Sequence, residues 1–201
     1  MTSVLVSRIA ELPRRDWREN PDELVRELTT AFRTPTGTQE LRPIQAAIIY
    51  EGLCENMPGF KMIPGCVGNA RVGAGKTLAQ ALIASAWELE GLRNMLVIPA
   101  GFEAKTLREF AAYRQHWRMP DQYDLTSYRD ISNDVDELVF RTEPDSLLLD
   151  EASTWRRVTA AGGAIRADQY LARRERQGKR VRTVALDGTM YKEGLIDYGH
   201  I

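Results

Sequence analysis

The stretch Ala70–Thr77, which reads A-R-V-G-A-G-K-T, has the residue types and spacing of a loop that binds phosphate groups. Its glycines let the backbone curl so that successive N–H groups point into one concavity, with no Cβ to block a phosphate. Lys76 offers a positive charge to β- and γ-phosphates, and the Thr77 hydroxyl is suited to ligate Mg²⁺. The predicted triphosphate-binding residues of this loop are Val72, Gly73, Ala74, Gly75, Lys76 and Thr77.

A second chemical signal comes where the leucine run Leu147–Leu149 ends in two acids, Asp150 and Glu151. Such a run predicts a buried strand, and burying acids costs free energy unless they hold a metal ion or a partner. Asp150 is therefore predicted to hold Mg²⁺ opposite Thr77, and Glu151 to orient the attacking water. With Lys76, Glu151 is a predicted catalytic residue, and the chemistry is hydrolysis of ATP.

A third signal lies before the loop, in the run Leu41–Gln45. A glutamine side chain carries both a hydrogen-bond donor and an acceptor, so it can read the edge of adenine. We predict that Gln45 and its neighbour Arg42 contact the nucleotide.

The segments around these residues predict an α/β domain that positions them at one edge of a sheet. An apolar helix is predicted from Lys76 to a stop at Gly91. The predicted fold is a central, mostly parallel sheet with helices on both faces. Sheets of this kind bind ligands at the carboxyl ends of their strands, which is where the residues named above are predicted to lie. Its predicted strands are Gly65–Asn69, Met95–Pro99, Tyr123–Tyr128, Leu147–Asp150 and Val181–Leu186.

The chain has 201 residues, a net charge of −1 and 43% hydrophobic residues, which suits one domain with a proper core. Residues 1–37 are predicted to form a small helical extension, with a helix start at Asn20–Glu23, and residues 38–201 the main domain. The near-zero charge excludes a uniformly basic nucleic-acid binder. No stretch is apolar enough to span a membrane, so we predict a cytoplasmic protein, in the host cytoplasm if it is viral.

Several side chains are placed to contact a nucleic acid. Phe102 and Lys105 follow a predicted strand, and Thr126, Ser127 and Tyr128 offer hydroxyls to phosphate oxygens. The basic stretch 156–182 is either a surface that follows phosphates or a solvated helix. Gly188 and Thr189, after the last strand, are predicted to couple the nucleotide to a neighbouring surface. The predicted nucleic-acid contacts are Phe102, Lys105, Thr126, Ser127 and Arg129.

Taken in order, these segments resemble the motifs of superfamily 2 helicases and translocases, and within them the Swi/Snf-type ATPases, over roughly residues 38–201. Some positions depart from the family pattern: the loop begins with Ala70 instead of glycine, and the acidic motif reads D-E-A-S. The third motif reads D-G-T-M instead of the usual G-T-P, and Tyr191–Ile201 faintly resembles tailed-phage members. The segments that carry the resemblance are Leu41–Gln45, Ala70–Thr77, Leu96–Pro99 with Leu107–Phe110, Thr126–Tyr128, Asp150–Ser153 and Leu186–Thr189.

The resemblance implies one RecA-like lobe that binds ATP and Mg²⁺ and works with a nucleic acid, DNA being favoured over RNA. The family uses two lobes, and the second carries the arginine fingers, so a second RecA-like lobe is expected in cis or in trans. The isolated lobe is then expected to bind nucleotide but to hydrolyse it slowly.

Three other functions stay open on the sequence alone. The chain is also compatible with a nucleotide-binding regulatory module that does not hydrolyse ATP, and with a P-loop phosphotransferase acting on a small acceptor. The third alternative is an interaction protein whose nucleotide site is inactive.

Overall fold

A parallel five-stranded sheet with helices on both faces forms the core of the protein, as a computed structural model shows. The structure describes residues 21–54, 56–57, 60–61, 65–134, 138–154 and 161–188. The helices are α1 (Pro21–Phe32), α2 (Pro43–Leu53), α3 (Lys76–Leu89), α4 (Glu103–Tyr113), α5 (Tyr128–Asn133) and α6 (Ala161–Arg176), with a 3₁₀ turn at Val139–Thr142. The strands are β1 (Asn56–Met57), β2 (Phe60–Lys61), β3 (Gly65–Asn69), β4 (Asn94–Ile98), β5 (Asp124–Ser127), β6 (Ser146–Asp150) and β7 (Arg182–Asp187).

The strand order of the large sheet is β3-β7-β6-β4-β5, and its neighbouring strands all run parallel. The register pairs Asn69 with Asp187 and Asp150 with Leu186, so β3, β7 and β6 end side by side. Strands β1 and β2 form a separate antiparallel pair. The predicted α/β fold with a mostly parallel sheet is therefore confirmed.

Residues on the two faces of the sheet belong to two hydrophobic clusters. Leu96, Leu148 and Val184 pack on one face with the apolar side of α3. Met95, Leu147 and Ala185, their alternating neighbours, pack on the other face with residues of α5 and α6. Because side chains alternate along a strand, a strand that is buried on both faces reads as a continuous apolar run. This explains why β4 and β6 were recognisable from sequence.

Helix α3 starts and stops where the sequence predicts. It begins at Lys76 and runs to Leu89, and Gly91 follows with a φ of +81°, in the left-handed region that suits glycine. The N–H of Gly91 donates to the carbonyl of Glu88 and that of Leu92 to the carbonyl of Trp87, which satisfies two of the last carbonyls of the helix. The C-terminus of α3 is therefore capped by backbone hydrogen bonds, whereas its N-cap residue supplies no side-chain cap.

Helix α1 packs on the main core. Phe32 is buried there, and Leu24, Val25 and Leu28 lie against the same cluster at the helical spacing expected from the sequence. The Thr29 hydroxyl accepts a hydrogen bond from the N–H of Leu41, which ties α1 to the segment before α2. Residues 1–20 of the predicted extension lie outside the described residues. None of the described helices has the length and apolar character needed to cross a bilayer.

Candidate nucleotide-binding site

The loop between β3 and α3 adopts the conformation that its glycines were predicted to allow. Gly73 and Gly75 have φ angles of +80° and +84°, in the left-handed region. Gly75 occupies the N-cap position of α3 and, as a glycine, supplies no side-chain cap to the helix. The first N–H groups of α3 thus point toward the loop together with the positive end of the helix dipole, an arrangement that attracts anions.

Lys76, the first residue of α3, is buried with its charge at the centre of the site. Its Nζ donates to the carbonyl of Ala70 at 3.1 Å and to Oε1 of Glu151 at 2.7 Å. The side chain of Lys76 is 7% exposed and that of Glu151 34%. The loop and the end of β6, which are 75 positions apart in sequence, therefore meet through this ion pair.

Glu151 lies in a turn directly after β6 and has a φ of +50°. A non-glycine residue in the left-handed region costs free energy and persists where the surroundings fix it, often at functional sites. Here the next residues fix it: the N–H of Ala152 donates to the carbonyl of Leu186, and the N–H of Ser153 to the Asp187 carboxylate. The turn thereby directs the Glu151 carboxylate toward Lys76.

Asp150 ends β6 with a carboxylate that the rest of the described protein does not neutralise fully. Its buried Oδ1 has no hydrogen-bond partner among the residues that the structure describes. Burial raises the pKa of Asp150 to about 6, and the negative charge of Glu151 adds to the rise, while the positive charge of Lys76 opposes it. A buried carboxylate oxygen without a partner is suited to receive a cation.

Mg²⁺ fits the oxygen groups that meet here. The described residues contain no group of three or more His, Cys, Asp or Glu side chains that could enclose a metal ion. Mg²⁺ typically uses one or two carboxylates together with phosphate oxygens and water, so it needs no such cage. Asp150 and the Thr77 hydroxyl line one cleft and would hold the ion in this way.

The loop and the two acids open onto a single cleft with a volume of about 760 Å³. This volume lies within the range of small-molecule sites, about 300–1,000 Å³. The cleft extends from the phosphate loop past α2 to the far end of α4. Its lining residues are Gln39, Glu40, Arg42, Gln45, Val72, Gly73, Gly75, Lys76, Thr77, Leu78, Pro99, Phe102, Lys105, Glu109, Tyr113, Asp150 and Glu151. Ala74, a predicted loop residue, is buried and does not line the cleft.

Arg42 and Gln45 hold the loop from the side of α2. Nη1 of Arg42 donates to the carbonyl of Gly73 at 2.8 Å, and Oε1 of Gln45 accepts from the N–H of Arg42 at 2.8 Å. A Cβ on Gly75 would come within 2.1 Å of Gln45 Nε2, so the amide lies directly against the loop. The acceptor that was predicted to read adenine is thus engaged at the start of α2, while the side chain still lines the cleft.

Of the predicted nucleic-acid contacts, two line the nucleotide cleft. Phe102 is 47% exposed, and Nζ of Lys105 lies 5.4 Å from the centre of its ring. Thr126 is half-buried and Arg129 exposed, and neither lines the cleft.

Ser127 is fully buried, and its hydroxyl donates to the Asp130 carboxylate at 2.6 Å and accepts from the N–H of Asp130 as the N-cap of α5. Because this hydroxyl is enclosed and already hydrogen-bonded, Ser127 does not lie on a surface that could contact a nucleic acid. Tyr128 is also buried, so its hydroxyl is not available to a phosphate at the surface.

Within the described part of the basic stretch, some arginines are held by structural contacts. Arg174 is 1% exposed and pairs with Glu143 and Asp145, and Arg166 donates to the carbonyls of Ile131 and Ser132. Residues 155–160 lie outside the described part of the chain. Two of the arginines therefore have structural partners, and the idea of a continuous basic track is weakened.

Gly188 lies beside the phosphate loop, where a Cβ would be 3.6 Å from both Lys76 Nζ and the Val72 nitrogen. Thr189 lies outside the described residues. Asp187, which precedes Gly188, belongs to the third motif but was given no role of its own from the sequence. Its carbonyl accepts from the N–H of Ala70 at 2.7 Å, and its buried carboxylate accepts from Ser153. One residue thus joins the start of the loop to the turn after β6.

Gln80 was also missed. Its Nε2 donates to the carbonyl of Leu149 at 2.8 Å, and the side chain is buried. The signal that could have identified Gln80 is its amide within the apolar run of α3, because a buried amide needs a hydrogen-bond partner.

No family model and no curated protein matches the chain. Among solved structures, it is similar to the UvsW helicase from bacteriophage T4, with a TM-score of 0.55, 14% identity, and coverage of 91% of this chain and 64% of that one. A second structure of T4 UvsW matches with a TM-score of 0.54, 14% identity, and coverage of 96% and 39%. The chain thus spans less than two thirds of either matched structure. At this identity the likeness concerns the fold, and the domain has the RecA-like α/β fold seen in a helicase.

Proposed function

We propose that this chain is the ATP-binding lobe of a nucleic-acid-dependent ATPase motor of the helicase or translocase type. The observation that carries the proposal is that Lys76, Thr77, Asp150 and Glu151 line one cleft, with Lys76 Nζ 2.7 Å from Glu151. A phosphate loop and an acidic pair at the carboxyl edge of a parallel sheet are the parts that hydrolysis of a nucleoside triphosphate requires.

Each residue has a role that follows from its position. The loop N–H groups and Lys76 bind the phosphates of ATP, and Arg42 keeps the loop in shape through the carbonyl of Gly73. Thr77 and Asp150 would hold Mg²⁺, which would neutralise phosphate charge. Glu151 orients the water that attacks the terminal phosphate.

The ion pair between Lys76 and Glu151 gives the site a defined resting arrangement. While the two are paired, Oε1 of Glu151 is engaged by Lys76. When a nucleotide binds, Lys76 exchanges this oxygen for a phosphate oxygen, which leaves both carboxylate oxygens of Glu151 available to orient water. The pair therefore links binding of the phosphates to activation of the general base.

The finer assignment to superfamily 2, and to the Swi/Snf type, rests on the order of the sequence motifs. It implies a second RecA-like lobe in cis or in trans, and DNA in preference to RNA as the partner. We propose that Thr126 and Arg129, with Phe102 and Lys105 at the rim of the cleft, contact one strand. A phage origin and a cytoplasmic location are part of the same proposal.

The test is ATP hydrolysis by the chain with and without single-stranded DNA, duplex DNA or RNA. We expect slow basal hydrolysis that a polynucleotide stimulates, and its loss in Lys76→Ala and Glu151→Gln. Arg26→Ala serves as the control, because Arg26 is exposed on α1 and lies outside both the cleft lining and the basic stretch. Stimulation by a small phosphate acceptor instead of a polynucleotide would favour a phosphotransferase, and tight ATP binding without hydrolysis would favour a regulatory module.

A further inference from the structure

The end of β6 is held by buried side chains from two other elements. Gln80 of α3 donates to the carbonyl of Leu149, and the hydroxyl of Tyr128 of α5 donates to the carbonyl of Asp150, each at 2.8 Å. These are the last two carbonyls of the strand that carries the Asp150 carboxylate. Both donors are enclosed: Gln80 is 3% exposed and Tyr128 2%.

Gln80 connects the two halves of the proposed magnesium site. It lies on α3 one turn after Lys76 and Thr77, so its hydrogen bond fixes the phosphate-loop helix relative to β6. The distance between Thr77 and Asp150 therefore depends on this contact. An apolar residue of similar size would pack in the same place but would leave the carbonyl of Leu149 without this donor.

Tyr128 acts on the residue that carries the metal carboxylate. Its hydroxyl reaches the carbonyl of Asp150 from the opposite face of the sheet to α3, because Tyr128 belongs to the second hydrophobic cluster. Within the described residues, Oδ1 of the Asp150 side chain has no hydrogen-bond partner that would hold it, so the position of the carboxylate depends on the backbone that carries it. Groups that orient metal ligands without touching the metal strongly affect metal affinity.

We propose that Gln80 and Tyr128 are positioning residues that fix the Asp150 carboxylate for Mg²⁺ from the two faces of the sheet. The inference rests on the proposed function, since it concerns the same cleft. If the two residues had only a structural role, loss of the Tyr128 hydroxyl or of the Gln80 amide would lower the stability of the protein. The dependence of nucleotide binding on magnesium would then stay unchanged.

The chain offers a matched control in Tyr170. It is also buried, and its hydroxyl also donates to a backbone carbonyl, that of Pro144, away from the cleft. Tyr128→Phe and Tyr170→Phe therefore make the same chemical change in equally buried places. Gln80→Met is the second variant, which keeps the inference testable if Tyr128→Phe does not fold.

The experiment is a titration of Mg²⁺ into each folded variant with a fluorescent ATP analogue at fixed concentration, alongside binding of the analogue in EDTA. We expect the Mg²⁺ concentration for half-saturation to rise about 10-fold in Tyr128→Phe and Gln80→Met. Binding in EDTA should stay the same, and Tyr170→Phe should behave like the unaltered chain.

Two results would overturn the inference, and they differ from each other. If the unaltered chain binds with magnesium and the half-saturation values of Tyr128→Phe and Gln80→Met match that of Tyr170→Phe, the positioning role is wrong and the proposed function stands. If the unaltered chain shows no magnesium-dependent binding, the proposed function fails and the inference fails with it.

Discussion

At the amino edge of the sheet, the cations Arg93 and Arg174 face the two acids Glu143 and Asp145, so opposite charges are matched. At the carboxyl edge, the buried cation Lys76 lies among three acids, Asp150, Glu151 and Asp187. Arg174 pairs with both Glu143 and Asp145 through its terminal nitrogens, while its buried Nε has no hydrogen-bond partner among the described residues. At the opposite edge, two adjacent acids share the charge of Lys76, and Oδ1 of Asp150 has no hydrogen-bond partner in the described part of the chain.

Asp145 at the amino edge and Asp150 at the carboxyl edge have pKa values shifted in opposite directions. Burial alone raises the pKa of Asp145, but hydrogen bonds from the backbone and side chain of Arg93 outweigh it and hold the pKa below its usual value. At Asp150, burial and the charge of Glu151 win, and the pKa rises to about 6. Matched charge belongs to the scaffold, and unmatched charge marks the place where a ligand is expected.

The largest effect is expected at the amino edge. Arg174→Met leaves two acids without their buried partner and should lower the free energy of unfolding by about 3 kcal/mol, which moves the melting temperature by about 6–12 °C. Thermal denaturation against Lys179→Met, an exposed control, measures this. A shift of less than about 2 °C would mean that the amino edge does not depend on matched charge.

At the carboxyl edge, Asp150→Asn should raise stability instead. A carboxyl whose pKa is raised in the folded state takes up a proton on folding, so stability falls as the pH rises from about 4 to about 6 and stays lower above that. The amide lacks this cost, so we expect a gain of about 1–3 kcal/mol at pH 8 that disappears near pH 4. Denaturant unfolding across this range is the measurement, and a loss of stability at pH 8 would contradict the account.

Asp145→Asn sharpens the comparison because its sign is opposite. A carboxyl with a lowered pKa contributes stability that is present above its ordinary pKa and is lost as the pH falls. We expect a loss of about 1 kcal/mol at pH 7 that shrinks in acid. If Asp145→Asn and Asp150→Asn shift stability in the same direction at pH 8, the contrast between the two edges is wrong.

The smallest effects separate the two neighbours Ser127 and Arg129. Ser127→Ala removes an N-cap and should cost about 1 kcal/mol of stability without changing affinity for an oligonucleotide. Arg129→Ala should leave stability unchanged and reduce the salt dependence of oligonucleotide binding by about one counterion. Binding isotherms at several salt concentrations distinguish them, and a change in salt dependence for Ser127→Ala would restore its predicted contact role.

Much of the fold could be predicted because its signals are local. The apolar runs of β4 and β6 and the glycines before α3 identify strands and a phosphate loop by their own residue types. The strand order could not be read in this way, since it depends on which strands pair across long stretches of chain.

Other side chains could not be interpreted from sequence because packing sets what they contact. Ser127 reads as a surface hydroxyl until its burial and its hydrogen bond to the Asp130 carboxylate are seen. Arg174 reads as one of many basic residues until Glu143 and Asp145 are placed around it. The role of Gln80 depends on Leu149, 69 positions away. Composition and spacing give the type of a side chain, but packing decides what it touches.

The most direct test of the central claim is calorimetric titration of ATP into the chain, with Mg²⁺ and with EDTA, for the unaltered protein, Lys76→Ala and Asp150→Asn. The account predicts binding that Mg²⁺ strengthens, loss of binding in Lys76→Ala, and weaker binding without a magnesium response in Asp150→Asn. Equal affinities in all three proteins, or a full magnesium response in Asp150→Asn, would show that the loop and the acidic pair do not form one nucleotide site.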